Sequence, residues 1–263
     1  MRKIWVIVRK EWSEVFKNRM VFFSVAFLPL MLTALPLIIL SSIRSSGDLS
    51  GLTSADMPAG FAQLCGSLRG AECGQYFFIS TFLLLFMILP LAIPATIASY
   101  SIVGEKTTRT LEPLLATPVT TFELLAGKAV GAAIPAILAT WGAFLVFAAG
   151  ALILSVGPAV VARLLDPLWL MAVFVVGPLL AVAAVSVAVM VSSRVSDPRV
   201  AEQLSVLVIL PLVGVFLGQI TGLILINQTL ILWMAASLIV VDSLLFWVAL
   251  RLFQRESILT RWK

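Results

Sequence analysis

Histidine occurs nowhere in the 263 residues. That removes imidazole as a base, an acid or a metal ligand, and with it serine–histidine dyads and histidine-ligated metal centres. Cysteine is almost as scarce. Cys65 and Cys73 are the only two, and two thiolates alone do not make a four-ligand zinc site. Charge is the third shortage: 12% of residues are charged, against roughly 25% in a soluble globular domain. Hydrophobic residues make up 61%. The chain therefore reads as an all-α integral membrane protein whose length goes into spans rather than a soluble core. A net charge of +5 is no argument for a nucleic-acid partner, because here the placement of basic residues matters more than their sum. The opening MRKIWVIVRKEW mixes charges into its apolar pattern and shows no small-residue cleavage site, so it does not read as a cleavable signal.

What is present is apolar length. Crossing the hydrocarbon core takes about 20 mostly apolar residues, and six runs qualify: 21–43, 76–103, 129–156, 168–191, 204–226 and 230–250. No soluble domain fits between them, so 1–263 reads as a single transmembrane domain. Alternate connections divide the basic residues unequally. Fifteen Lys and Arg fall on the side of the N-terminal segment, the connections after the second and fourth runs, and the C-terminal tail; only Arg44, Arg69 and Arg163 fall on the other. Positive charge stays cytoplasmic, which predicts a multi-pass protein of the cell membrane with both termini in the cytoplasm.

Residues 1–19 form an element of their own. Trp5, Val8, Trp12, Val15 and Phe16 recur at helical spacing, and Arg9, Lys10, Ser13, Glu14 and Lys17 take the other face. This predicts an amphipathic helix on the inner membrane surface, in contact with lipid headgroups. A cytoplasmic helix packed against protein alone is the alternative.

One polar stretch stands between the second and third runs, VGEKTTRTLEPLLATPVTTFELLAGK, residues 103–128. Leu111, Leu114 and Leu115 lie at i, i+3 and i+4 and make one apolar face on a short helix. Pro118 ends that helix at Thr117. Thr120 and Glu123 have capping-box spacing, which starts the next helix. A short amphipathic helix of this kind is suited to a groove on a partner protein.

The stretch resembles the cytoplasmic signature of type-2 ABC exporter permeases, roughly E-K-x-x-G-T-L-E-x-L-L-x-T-P-V-S followed by G-K. Glu105, Lys106, Thr110, Leu111, Glu112, Leu114, Leu115, Thr117, Pro118, Val119, Gly127 and Lys128 match it. Arg109 stands where glycine is usual, Thr120 where serine is common, and Pro113 is a further variation. The six runs, the amphipathic N-terminal helix and the cytoplasmic termini match as well. The resemblance implies that 104–128 is a cytoplasmic coupling loop whose short helix docks on a separate ATP-hydrolysing subunit. Leu111, Leu114 and Leu115 would form the docking ridge, with Glu105 and Glu112 making polar contacts. It also implies a second copy of the chain as partner, and ATP and Mg held by the ATPase rather than by this chain. A phosphate-binding loop needs G-x-x-x-x-G-K-[ST]. In SYSIVGEKTT, Ser99 stands at the first glycine and Glu105 separates Gly104 from Lys106; GKAVG lacks the hydroxyl residue after Lys128.

The runs themselves hold little polarity. Asp242 is the one clear charge inside a run, near the middle of the last. Intramembrane charge is costly and often functional, so Asp242, with Gln219 in the fifth run, is a candidate residue of the transport pathway; a carboxyl buried at a helix contact is the other reading. Pro211, Gly214, Gly218, Gln219, Thr221 and Gly222 allow a break or re-entrant turn near the outer end of the fifth run, and Pro90 and Pro94 suggest a bend in the second. No ring of charges marks a pore for a charged substrate, which favours a hydrophobic or amphipathic cargo. Cys65 and Cys73 share one extracytoplasmic connection and are placed to form a disulfide, the alternative being two free thiols. Sodium export or a maturation complex remain alternatives within the permease class. A secondary transporter or channel would be expected to show an inverted repeat and several intramembrane polar groups. An intramembrane aspartyl enzyme would need a second aspartate beside Asp242.

Overall fold

The computed structural model describes residues 2–17, 19–46, 65, 68, 71–107, 119–154 and 158–252. Of these residues 91% are helical and none lies in a strand. Six stretches are long and apolar enough to cross a membrane: Val25–Ser42, Glu72–Glu105, Phe122–Leu154, Val160–Arg194, Pro198–Ile220 and Gln228–Arg251. The all-α membrane reading holds, with six spans.

Helix α1 (Arg2–Lys17) precedes the first span, α2 (Arg19–Ser46). The second span is two helices, α3 (Ala71–Phe86) and α4 (Leu89–Thr107), separated by a turn at Met87–Ile88. Pro90 explains the break. It has no N–H to donate to Phe86, and its ring would press on that carbonyl, so Met87 and Ile88 bond instead to Leu84 and Leu85 at 3.0 and 2.9 Å. The third span is the unbroken α5 (Thr121–Leu154). Its start is the capping box expected from sequence: Glu123 N–H donates to Thr120 Oγ1 at 3.1 Å and Thr120 N–H to Glu123 Oε2 at 2.9 Å. At 34 residues it is about 50 Å long, well beyond the roughly 30 Å hydrocarbon core. At least one end therefore stands clear of the apolar layer.

The fourth span starts earlier than expected. Helices α6 (Pro158–Leu164) and α7 (Pro167–Met171, capped by Asp166) lead through a π-helical turn, Ala172–Val176, into α8 (Gly177–Arg194). Pro178 follows that turn and cannot donate to Phe174; widening the helix relieves the conflict. The fifth span departs most from expectation. It begins at α9 (Pro198–Val206), passes through a 3-10 turn, Leu207–Ile209, ahead of Pro211, and ends with α10 (Leu210–Ile220). The expected 204–226 thus opens six residues late and runs six too far. Gly222 stops the helix with φ 73°, a left-handed conformation open to glycine at little cost, and Ile224 N–H returns to Gly218 O at 2.9 Å. The sixth span is α11 (Gln228–Leu252).

Helices α4 and α8 make the most extensive contact among the described elements, and α5 packs on both. In the most apolar 18 residues of the second and fourth spans, 61% of positions are buried; in the first, fifth and sixth the share is 17%. Two spans thus form a centre, and three lie around it with most of their apolar surface uncovered.

Candidate functional site

The polar stretch is held at its base by a knot of buried charges. Glu105 lies near the end of α4, just before 108–118; Lys128 lies in the second turn of α5, just after it; Glu11 lies on α1. Lys128 Nζ sits 2.8 Å from Glu11 Oε1 and 2.9 Å from Glu105 Oε2, and donates to Ser101 Oγ at 2.6 Å. Lys10 donates to the other oxygen of Glu105 and lies 3.5 Å from Glu14. Relative exposures are 2% for Glu11, 5% for Glu105 and 4% for Lys128. Groups buried this deeply need one another, since removing one partner strands a charge away from water.

Helix α1 reaches the knot because α5 is smooth there. A Cβ on Gly127 would stand 2.8 Å from Ile7 Cβ, and one on Gly131 would stand 3.1 Å from Glu11 Cβ. Two glycines four apart clear one strip of the α5 surface. Trp12 Nε1 donates to Gly131 O at 3.0 Å across the same contact. The α1 face turned to protein carries Ile7, Val8, Glu11 and Val15, while Trp5, Val6 and Phe16 stay exposed. The helix is therefore not a free surface element: one stripe is fastened to α5 and a neighbouring apolar stripe is uncovered. Burial lowers the proton affinity of Lys10, but the hydrogen bond to Glu105 and the charges of Glu105, Glu14 and Glu11 outweigh it and hold the ammonium above its ordinary value. A cavity of ≈ 190 Å³ opens beside the knot, lined in part by Glu11, Glu14, Tyr100 and Ser101.

Of the residues singled out in the sequence, Glu105 belongs to this knot. Leu111, Glu112, Leu114 and Leu115 lie in 108–118, outside the described residues. Gln219 is buried on α10, its Nε2 3.4 Å from Ser80 Oγ on α3. Asp242 is buried on α11, in the stripe that also holds Ile231, Ala235 and Ala249. Neither of its oxygens has a hydrogen-bond partner among the described residues. Gln219 turns toward α3, whereas α11 packs chiefly on α8; no contact among the described residues brings the two together into one site. Cys65 and Cys73 form a disulfide with Cα atoms 5.5 Å apart, packed with Leu68 and Tyr76 at the start of α3.

Sequence reading missed two features. Glu11 was assigned to neither face of the first helix; its partner Lys128 is 117 positions away, and no local pattern announces such a pair. Asp242 is also not the only acid inside a span. Glu202 falls within the fifth, accepting from Thr96 Oγ1 at 2.8 Å, with Ser99 and Ser205 oxygens 3.2 Å apart beside it. The i, i+3 pairing of Thr96 and Ser99 with Glu202 and Ser205 was the available signal.

A family model described as ABC-2 family transporter protein matches residues 5–232. A comparison with curated proteins finds no match. The chain belongs to the ABC-2 transporter family: it is a permease subunit of an ABC transporter and a multi-pass membrane protein.

Proposed function

We propose that this chain exports its cargo as a pair of identical copies, each driven through residues 104–128 by a separate ATPase subunit that holds the ATP and Mg. Residues 1–263 act as one permease domain in the cell membrane, with both termini and the 108–118 stretch in the cytoplasm. The fifteen-to-three division of Lys and Arg supports that direction. Leu111, Leu114 and Leu115 form the docking ridge, with Glu112 beside it, while Glu105, buried and paired with Lys10 and Lys128, fastens the base of the stretch instead of touching the partner.

The observation that carries the reading is the buried knot. Glu105 and Lys128 flank the stretch on its two sides and meet in one ion pair, and Glu11 ties both to α1. A push on 108–118 cannot be absorbed by one flank swinging freely. It is delivered to α4, α5 and α1 together, and α1 is followed at once by the first span. A loop that merely connects two spans has no need of three nearly inaccessible charges at its base. Cargo remains hydrophobic or amphipathic on this reading.

The test replaces Leu111, Leu114 and Leu115 together with serine. Membrane insertion should be retained, because the six apolar spans are untouched. The ATPase should no longer co-purify with the variant, or its hydrolysis should no longer respond to the permease in reconstituted vesicles. A variant that inserts, keeps its ATPase and couples normally leaves the stretch as a connector. Single substitutions at Leu114 and at Leu115 replace the triple variant if it does not insert.

A further inference from the structure

We propose that Asp242 is a proton-binding site inside the last span, taking up and releasing a proton while the chain stays folded. The side chain is 7% exposed and both carboxyl oxygens lack a hydrogen-bond partner among the described residues. An ionised carboxylate so placed is costly unless a counter-charge faces it, and the packed elements supply none. On α8 the only ionisable residue is Arg194, at its last position. The π-helical turn and α7 have none, and Asp166 caps α7 at its far end. On α5 there are Glu123 and Lys128. Glu123 is engaged by Thr120 and Lys3, and Lys128 by Glu11 and Glu105. On α11 itself, Arg251 lies over the Trp247 ring, 4.0 Å from its centroid.

The ligand that fits is a proton rather than a metal ion. A hard cation needs about six oxygen ligands, and the described residues hold no group of three candidate acidic or soft ligands. A proton needs one oxygen atom. The exchange is a simple balance: the carboxylate accepts a proton from hydronium and releases water, and the reverse step returns it.

The test is an infrared titration of the full chain in lipid vesicles, taken as the difference between wild type and Asp242→Asn. A carboxylic-acid carbonyl band should be present at acid pH and convert to a carboxylate pair as pH rises, the acid-to-carboxylate ratio falling about tenfold per pH unit. If Asp242→Asn does not fold, the same difference is taken against Asp242→Leu, with aspartate isotope-labelled so that only the five aspartates of the chain contribute shifted bands. A carboxylate at every pH overturns the proposal and points to a counter-charge from a second copy. An acid band unchanged at every pH overturns it in favour of a permanently neutral packing group. Displacement of the band by sodium chloride, but not choline chloride, at one pH overturns it in favour of a cation site. The readout does not pass through transport, so it can fail while the docking reading stands, and the reverse.

Discussion

Glu105 and Asp242 are both carboxylates buried in helices of the bundle, 5% and 7% exposed, yet their surroundings are opposite. Glu105 sits between two ammonium groups, Lys10 and Lys128, and those lysines reach on to Glu14 and Glu11. Asp242 meets no hydrogen-bond partner among the described residues. Burial alone therefore does not say what an acid in this protein does. Where several helices converge, charges are satisfied and act as a fastening, and breaking it is expensive because the survivors are trapped. Where one peripheral helix lies on an alanine-rich neighbour, the acid is left able to change its own state. The first arrangement suits a part that must transmit force, the second a part that must respond.

The sharpest way to break this comparison is Lys128→Met. It strands Glu11 and leaves Glu105 with Lys10 alone, and the expected loss is about 3–5 kcal/mol, read as a fall in the thermal unfolding midpoint of the purified chain. Neutralising both acids as well, with Glu11→Gln and Glu105→Gln, should return much of that loss; no recovery would mean that Lys128 acts through packing and not charge. Next in size is Gly127→Val. Its side chain runs into Ile7, and the expected cost is about 1–3 kcal/mol. Ile7→Ala should relieve it, which would tie the knot to the close approach of α1.

Lys10→Met should cost less, under about 1 kcal/mol, because the lysine is 39% exposed and screened by solvent. Its proton affinity is raised in the folded chain, so its contribution is complete below the ordinary lysine value of 10.5 and is lost as pH climbs through the higher folded value. Wild type and Lys10→Met should accordingly converge in stability only in that alkaline window. The smallest effect is expected at Asp242. Asp242→Leu should unfold within about 1 kcal/mol of wild type, since it removes a buried polar group that has no partner to strand. A loss as large as that of Lys128→Met would show that Asp242 is held after all, and the contrast would collapse.

The membrane class, the six spans, the amphipathic first helix and the capping box at Thr120 and Glu123 were legible in the chain itself. Each depends on apolar length or on neighbours three or four residues apart, and that information is local. The proline effects were half legible. Pro90 and Pro211 announced interruptions, but whether the helix answers with a turn, as at Met87–Ile88, or with a 3-10 segment, as at Leu207–Ile209, depends on what packs beside it. The limits of the fifth span were misplaced because apolar content was the guide, whereas Asp197 caps the helix start and Gly222 ends it.

What only the tertiary structure decided is which polar residues are spent on one another. Glu11 falls beside Ile7, Val8 and Val15 on the helical wheel, away from Lys10 and Lys17, but the sequence does not say which basic residue it meets there. Glu11 becomes buried because Gly127 and Gly131 let α1 approach the helix that carries Lys128, more than a hundred positions away. Thr96 meets Glu202 across a similar separation. Asp242 is isolated for the same kind of reason: the helix it lies on packs chiefly on α8, which carries no ionisable residue before Arg194. Hydrophobic periodicity sets which face of a helix turns inward, but electrostatic partnership is a property of distances between helices, and those exist only once the helices have packed.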